Sequence, residues 1–221
     1  MSPLDPPSAT DALHDRRTAI AALGADLRAL VEAAVRTGAP DEVLLLAAKE
    51  AQHLTALLTV RPRGRAEVPE VDVFPGGIRM YSPVTGAGSP LAPPLQIETV
   101  DDGAVVGTCT LGVAHEGPPG YGHGGVSALL LDEVMGWACS YAGQPGMTIE
   151  LNLSYKRPVV LETPLRVTAR VTERHGRTNL VHGTIATTAA PRTVLVEAEA
   201  VFFAPAPDQA RALFPSLRDP A

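Results

Sequence analysis

A stretch of 17 residues from Val126 to Ala142 is apolar on nearly every face of the helix that it predicts. Leucine, valine, methionine, tryptophan and alanine side chains cover most directions around the axis. A helix of this kind is either buried or spans a membrane. The stretch is short and carries two serines and two adjacent carboxylates, so it is a poor membrane-spanning segment. The sequence therefore predicts a helix buried inside a globular domain.

The segments that flank this helix alternate as β-strands do. Before it, LQIETVDDGAVVGTCTLGV predicts two strands joined by a turn at Asp101-Asp102-Gly103. After it, TIELNLSYKRP, LRVTARVTER, TNLVHGTIATT and TVLVEAEAVFFA predict four more strands with short connections. Short connections make neighbouring strands antiparallel, because parallel pairing needs a long crossover. The pattern predicts an α+β fold in which one curved antiparallel sheet wraps around a single central helix.

Two further helices are predicted before the strands. Apolar residues recur at helical spacing from Asp11 to Gly38 and again after Asp41, which predicts a helical hairpin within an N-terminal extension, residues 1–64. Prolines and glycines make residues 65–94 irregular, either as a linker or as a lid over a ligand site. The main domain is then expected at residues 95–205, followed by a tail at residues 206–221 with a short helix.

Composition narrows the functional classes. The chain has 221 residues and a net charge of −6, whereas general nucleic-acid binding requires a cationic surface. The N-terminus lacks the basic-then-apolar order of a secretory signal, and no basic run suits a membrane surface. There are two cysteines, and His115, His175 and His182 have no partner at metal-ligand spacing. We expect a cytoplasmic protein that binds neither nucleic acid nor membrane and needs no metal or cofactor.

The turn into the apolar helix is His123-Gly124-Gly125. Two glycines leave the first amides of a helix uncovered, at the positive end of the helix dipole. A carbonyl oxygen could be polarised there, as in an oxyanion hole, whereas the simpler interpretation is a tight strand-to-helix turn. His123 could be an acid or base, a substrate contact or a hydrogen-bonded loop residue. A phosphate-binding loop is not expected, because no Gly-Lys-Ser/Thr follows.

Asp132 and Glu133 stand near the middle of the same helix. Adjacent helical residues point about 100° apart, so one is expected to face inward and the other to meet solvent or a partner. A carboxylate on an apolar helix is costly to bury. It could be a structural acid, or it could be a general base or nucleophile for attack on an acyl carbon. A serine hydrolase is not expected, because Gly-x-Ser-x-Gly is absent and Ser127 lies within the buried helix.

Several short motifs follow one another in a defined order. A Pro-Leu-Ala-Pro-Pro stretch precedes HGGVSALLLDEVMG, and Thr148 opens TIELNLSYKRP sixteen residues after Asp132. Over residues 89–204 this set resembles the PaaI-type acyl-CoA thioesterases of the hotdog-fold superfamily. The resemblance implies a hotdog fold, a role in lipid metabolism, and a homodimer or dimer of dimers with sites at the subunit interface. The predicted N-terminal helical hairpin falls outside the shared core and is an addition to that fold.

The resemblance also implies roles for individual residues. Asp132 would activate water or attack the thioester of an acyl-CoA directly, and the amide of Gly124 on the other subunit would polarise the thioester carbonyl. His123 would place the loop and contact the substrate, while Thr148 would hold the water or orient Asp132. Further substrate contacts are Gly125, then Asn152 on the strand face predicted for Thr148, and, for the CoA phosphates, Lys156, Arg157 and Arg177.

Two other functions stay open at this point. The same fold could serve as a non-catalytic acyl-CoA or lipid-binding module, although a pure binder needs no carboxylate beside a carbonyl. An enoyl hydratase or dehydratase would need an aspartate and a histidine placed for addition of water to a double bond. His123 and Asp132 are nine residues apart, roughly 13 Å along a helix at ~1.5 Å per residue. A site that uses both on one substrate atom therefore requires a second copy of the helix.

Overall fold

A computed structural model describes residues 9–65, 67–73, 77–100 and 103–214 of the chain. The helices are Ala9–Arg36 (α1), Asp41–Leu58 (α2), Gly124–Tyr141 (α3) and Pro207–Leu213 (α4), with a 3-10 turn at Val113–His115. The strands are Gln96–Thr99 (β1), Val105–Thr110 (β2), Met147–Tyr155 (β3), Pro164–His175 (β4), Thr178–Thr187 (β5) and Val196–Phe203 (β6). None of the helices in these ranges is long and apolar enough to cross a membrane.

The six strands form one antiparallel sheet in the order β1-β2-β4-β5-β6-β3. Helix α3 packs against β2, β3, β4, β5 and β6, so the sheet wraps around it. The predicted α+β arrangement is therefore confirmed, and β3, the strand that follows α3, lies at an edge of the sheet. The predicted turn residues Asp101 and Asp102 lie outside the described residues, and Gly103 beside them has a φ of 77°.

The core forms where α3 meets the sheet. Leu130, Leu131, Val134 and Met135 are fully buried, as the continuous apolar pattern predicts. Each such side chain contributes about 1.5–3 kcal/mol when it leaves water. Gly183 of β5 permits close contact, because a Cβ there would lie 3.1 Å from a methyl carbon of Leu131. Helix α3 is therefore fixed on the sheet by shape as well as by hydrophobicity.

A β-bulge at Ile149 shifts the register of β3 against β6. Thr148 pairs with Phe202 and Asn152 pairs with Glu199, while Ile149 has no opposite residue. Paired residues share a face of the sheet, and Phe202 is buried on the α3 side. Thr148 therefore faces α3, whereas Asn152 faces away from it. The prediction that Asn152 shares the face of Thr148 is wrong, because strict alternation assumes a strand without a bulge.

The two predicted N-terminal helices are present, but they are buried to very different degrees. One face of α1 packs on the irregular segment before β1, where a Cβ at Gly24 would lie 2.4 Å from the carbonyl oxygen of Ala87. Arg28 of α1 donates to the carbonyl oxygens of Ala87 and Ser89, both at 2.8 Å. By contrast, no residue of α2 is buried. Helix α1 thus belongs to the body of the protein, whereas α2 exposes its surface.

Candidate active site

The carboxylate of Asp132 lies half-buried at the middle of α3. Its Oδ1 accepts a 2.6 Å hydrogen bond from the hydroxyl of Thr148, which the bulge at Ile149 turns toward the helix. Oδ2 has no hydrogen-bond partner in the described part of the chain. One oxygen is thus fixed by the sheet, and the other can accept a proton.

Asp132 lines a groove with a volume of about 270 Å³. The groove is also lined by the apolar side chains of Trp137 of α3 and Phe202 of β6, and by Thr148 of β3. Arg79, from the irregular segment before β1, lines the groove as well. This segment therefore contributes to the surroundings of the carboxylate.

Glu133 is tied to other parts of the structure. Its Oε1 accepts hydrogen bonds from the hydroxyl of Thr85 at 3.3 Å and from the indole nitrogen of Trp137 at 3.2 Å. Asp132 and Glu133 are both half-buried. The two carboxylates therefore do not divide into one that faces inward and one that faces solvent, and each contacts a different part of the structure. Glu133 holds the segment before β1 against α3, whereas Asp132 meets β3.

At the start of α3 the two glycine amides differ. His123 is the N-cap, and its Nδ1 accepts a 3.0 Å hydrogen bond from the amide of Gly125. The ring must therefore carry its proton on Nε2 in the neutral form. The amide of Gly124 donates to no acceptor among the residues that the structure describes. It remains an open donor at the positive end of the helix dipole.

Tyr155, which sequence reasoning did not select, fixes the same turn from the opposite side. Its hydroxyl donates to the carbonyl oxygen of Gly124 at 2.9 Å. A Cβ at Gly124 would lie only 3.2 Å from that hydroxyl oxygen, so the glycine allows the close approach. A signal was available in the sequence, because Tyr155 alternates with Leu151 and Leu153 on the helix-facing side of β3.

Strand β3 therefore runs beside the first half of α3. Its first residues contact Asp132 through Thr148, and its last residue, Tyr155, contacts Gly124. Asp132 and Gly124 are eight residues apart in α3, about 12 Å along the axis at ~1.5 Å per residue. Within one chain the two do not meet on one substrate atom.

The three basic residues predicted to contact CoA lie at opposite ends of β3. Lys156 is 3.4 Å from the carboxylate of Glu197, and Arg157 donates to the carbonyl oxygen of Val194 at 2.9 Å. Both follow Tyr155 directly. Arg177 instead packs over the ring of Phe203, which pairs with the first residue of β3. The structure does not bring the three together within one chain.

The cysteines and Ser127 are poor nucleophiles in this fold. Burial raises the pKa of Cys109 to about 12 and that of Cys139 to about 11. Both thiols are therefore protonated near pH 7, and the thiolate is the reactive form. Ser127 is 1% exposed, as its place in the apolar helix predicts. Within the described ranges, no three His, Cys, Asp or Glu side chains are grouped so that they could hold a metal ion.

Comparisons with known proteins agree with this architecture. Residues 119–188 match the family model of the thioesterase superfamily. The crystal structure of a thioesterase superfamily protein is 35% identical over 83% of this chain and 94% of that chain, with a TM-score of 0.75. This chain belongs to the thioesterase superfamily. Its fold is the hotdog fold, so the family and the fold predicted from the His-Gly-Gly and Asp132 motifs are confirmed.

Two further proteins are similar to this chain over a smaller part of its length. The rat protein acyl-coenzyme A thioesterase THEM4 is 33% identical over 98 residues, which cover 44% of this chain and 42% of that protein. The chain thus spans less than half the length of this curated relative. The PaaI protein of E. coli is 20% identical over 51% of this chain and 80% of that chain, with a TM-score of 0.47.

Proposed function

We propose that this thioesterase superfamily protein hydrolyses an acyl-CoA thioester to a free carboxylic acid and CoA. The observation that carries the proposal is the carboxylate of Asp132, which lines a groove and is held at one oxygen by Thr148. A carboxylate whose orientation is fixed in this way suits a general base that accepts a proton from water. The name of the rat relative, an acyl-coenzyme A thioesterase, supports this choice of substrate.

In the proposed reaction Oδ2 of Asp132 takes a proton from water while the water oxygen attacks the thioester carbonyl carbon. The carbonyl becomes an oxyanion, and its collapse breaks the bond between carbon and sulfur. The CoA thiolate leaves and takes up a proton. If Asp132 instead attacked the carbonyl itself, CoA thiolate would leave from a mixed anhydride of Asp132 and the acyl group. Attack of ¹⁸O-labelled water on the Asp132 carboxyl carbon of that anhydride would then place the label in Asp132 within one turnover. General-base catalysis places it in the product acid.

The oxyanion needs a hydrogen-bond donor, and the Gly124 amide of the same chain lies about 12 Å from Asp132 along α3. The Gly124 amide is suited to the role, because it lies at a helix N-terminus and has no acceptor among the described residues. We therefore propose a homodimer in which the partner subunit's Gly124 completes each site. The same proposal gives His123 the role of shaping the turn and contacting the substrate, with Gly125 held beside it.

The position of β3 supports this dimer. It is an edge strand of nine residues, and Ile149 and Tyr155 on it are 63% and 56% exposed. Unpaired edges tend to pair with another chain. Antiparallel pairing of two β3 strands about a two-fold axis would set the Thr148 end of one against the Tyr155 end of the other. Asp132 of one subunit would then face the partner subunit's Gly124.

The same pairing suits the basic residues. Lys156 and Arg157 follow the Tyr155 end of β3, and Arg177 lies near its Met147 end. In the proposed dimer these two ends meet, so Lys156 and Arg157 of one subunit would stand near Arg177 of the other. Cationic side chains bind phosphates well. We propose that they contact the CoA phosphates, while Asn152, on the outer face of β3, would lie at the margin of the site.

A thiol-release assay tests the proposed function. The purified chain is incubated with acyl-CoA thioesters of increasing chain length and with an aromatic acyl-CoA, and free CoA thiol is measured. We expect turnover of at least one of them. Thermal stabilisation by acyl-CoA without thiol release would contradict hydrolysis and indicate a binding module.

A further inference from the structure

The carboxylate of Glu32, in the last turns of α1, holds the loop that leads toward the active-site helix. Its Oε1 accepts from the amide of Val113 at 2.9 Å, and its Oε2 accepts from the amide of Ala114 at 3.0 Å. These are the first amides of the 3-10 turn, which have no acceptor within it. Gly112 makes the approach possible, since a Cβ there would lie 2.6 Å from Oε2 of Glu32.

The 3-10 turn also holds His123, the N-cap residue of α3. The carbonyl oxygen of His115, the last residue of the turn, accepts from the amide of His123 at 2.9 Å. The carbonyl oxygen of His123 accepts from the amide of Val126 at 2.9 Å, and its ring accepts from Gly125. Hydrogen bonds at both ends of the short 3-10 turn, joined by its backbone, therefore link Glu32 to the His123-Gly124 junction.

Arg36 extends the same connection to a second loop. It pairs with Oε1 of Glu32 at 2.6 Å and with the carboxylate of Glu162. Glu162 has a φ of 58°, a left-handed backbone conformation that is strained for a non-glycine residue. The preceding residue, Leu161, donates to the carbonyl oxygen of Gly120 at 3.1 Å. The end of α1 thus touches both loops that flank the His-Gly-Gly turn.

We propose that Glu32 is a positioning residue for the reaction, acting through the 3-10 turn on His123 and the Gly124 amide. The inference rests on the proposed function. It gives α1 a role in catalysis, although Glu32 and Arg36 lie outside residues 119–188 matched by the family model. A shift of about 1 Å in a catalytic group can lower a rate by ~100-fold. A residue that does not contact the substrate, such as Glu32, can therefore affect the rate through the position of His123 and Gly124.

Glu32→Gln tests this inference with little change in shape. The amide side chain keeps one acceptor oxygen, so either Val113 or Ala114 loses its partner. We expect kcat to fall about tenfold while KM stays within about twofold, as for loss of orientation in the transition state. Arg17→Gln is the matched control, because Arg17 also anchors α1 to a backbone carbonyl, that of Val71 at 2.9 Å, but far from the turn. It should keep kcat within about twofold of the unmodified protein.

Gly112→Ala reaches the same contact from the opposite side. Its φ of −88° suits alanine, and the added methyl group would displace the Glu32 carboxylate without removing its charge. We expect the same loss of kcat. An unchanged kcat in both Glu32→Gln and Gly112→Ala would overturn the inference, and so would an equal loss in Arg17→Gln.

Hydrogen exchange separates this inference from the proposed function. Amides of residues 113–115 and 123–126 should exchange faster in Glu32→Gln than in the unmodified protein, and they should not change in Arg17→Gln. If the unmodified protein released no thiol from any acyl-CoA, the proposed function would fail while faster exchange would still support the link. Unchanged exchange at residues 123–126 would overturn the link even if hydrolysis were established.

Discussion

The hydroxyl of Thr148 donates a 2.6 Å hydrogen bond to Oδ1 of Asp132, which joins the edge strand β3 to the buried helix α3. The contact exists because the bulge at Ile149 turns Thr148 inward. Without the bulge, Thr148 would share the outer face with Asn152 and could not reach the helix. The geometry of one irregular residue therefore determines the orientation of the carboxylate.

Replacement of Thr148 by valine keeps the shape of the side chain but removes the donor. We expect kcat to fall by about 10–100-fold, because an unoriented carboxylate accepts the water proton less efficiently. Thr148→Ser retains the hydroxyl and should keep most of the activity. Steady-state thiol release from the best acyl-CoA measures both variants. Equal activity of the valine and serine variants would show that the hydrogen bond has no catalytic role.

Gly124 offers a direct test of the oxyanion donor. It is the first residue of α3, where proline is tolerated, and the preceding His123 already has the extended backbone that proline requires. Gly124→Pro should therefore preserve the helix but remove the N–H, lowering kcat by ~100–1,000-fold. The control is Gly124→Ala, which adds the same Cβ beside Tyr155 but keeps the amide. If both variants lose activity equally, crowding against Tyr155 is the cause and the donor role fails.

Subunit complementation tests the shared site. Gly124→Pro and Asp132→Asn are each expected to be inactive alone. In a dimer formed from one copy of each, one of the two sites would contain an intact Asp132 and an intact Gly124. Random mixing of subunits should then restore about one quarter of the unmodified activity. Mixtures that remain inactive after verified subunit exchange would indicate a site built within one chain.

The pKa of Glu32 predicts how its contribution to stability depends on pH. The hydrogen bond from the Ala114 amide, followed by those from Arg36 and Val113, lowers the pKa of Glu32 below its ordinary value of 4.5. A carboxylate with a lowered folded pKa stabilises the fold above its unfolded pKa and loses that effect as pH falls through the folded pKa. The difference in melting temperature between the unmodified protein and Glu32→Gln should therefore be largest near pH 7. It should shrink below about pH 4.5, and a difference that grows on acidification would contradict this account.

Much of the fold could be predicted because its signals are local and repeated. The apolar coverage of α3 and the alternation in the strands each extend over many residues, so a single exception does not hide them. The bulge at Ile149 is different. Alternating residues continue on both sides of it in the sequence, and only pairing with β6 reveals the extra residue. The predicted face of Asn152 is wrong for that reason. The hydrogen bond between Thr148 and Asp132 depends on the same bulge.

The contacts of α1 could not be predicted for another reason. Helical periodicity identifies an apolar stripe, but Arg17, Arg28 and Glu32 bind backbone groups of distant loops. Backbone donors and acceptors are the same at every residue, so the sequence carries no record of which one is used. Tyr155 shows the same limit, because alternation predicts its place on the helix-facing side of β3 but not its partner, the carbonyl oxygen of Gly124.

The central claim is that Asp132 is the catalytic base of a thioester hydrolase. The most direct test compares thiol release by the unmodified protein and by Asp132→Asn, with the oligomeric state of both measured by light scattering. The amide is nearly the same size and can still accept the Thr148 hydrogen bond, but it cannot take a proton from water. We predict that Asp132→Asn loses at least ~1,000-fold in kcat while its oligomeric state and melting temperature stay close to those of the unmodified protein. Full activity of Asp132→Asn would contradict the account.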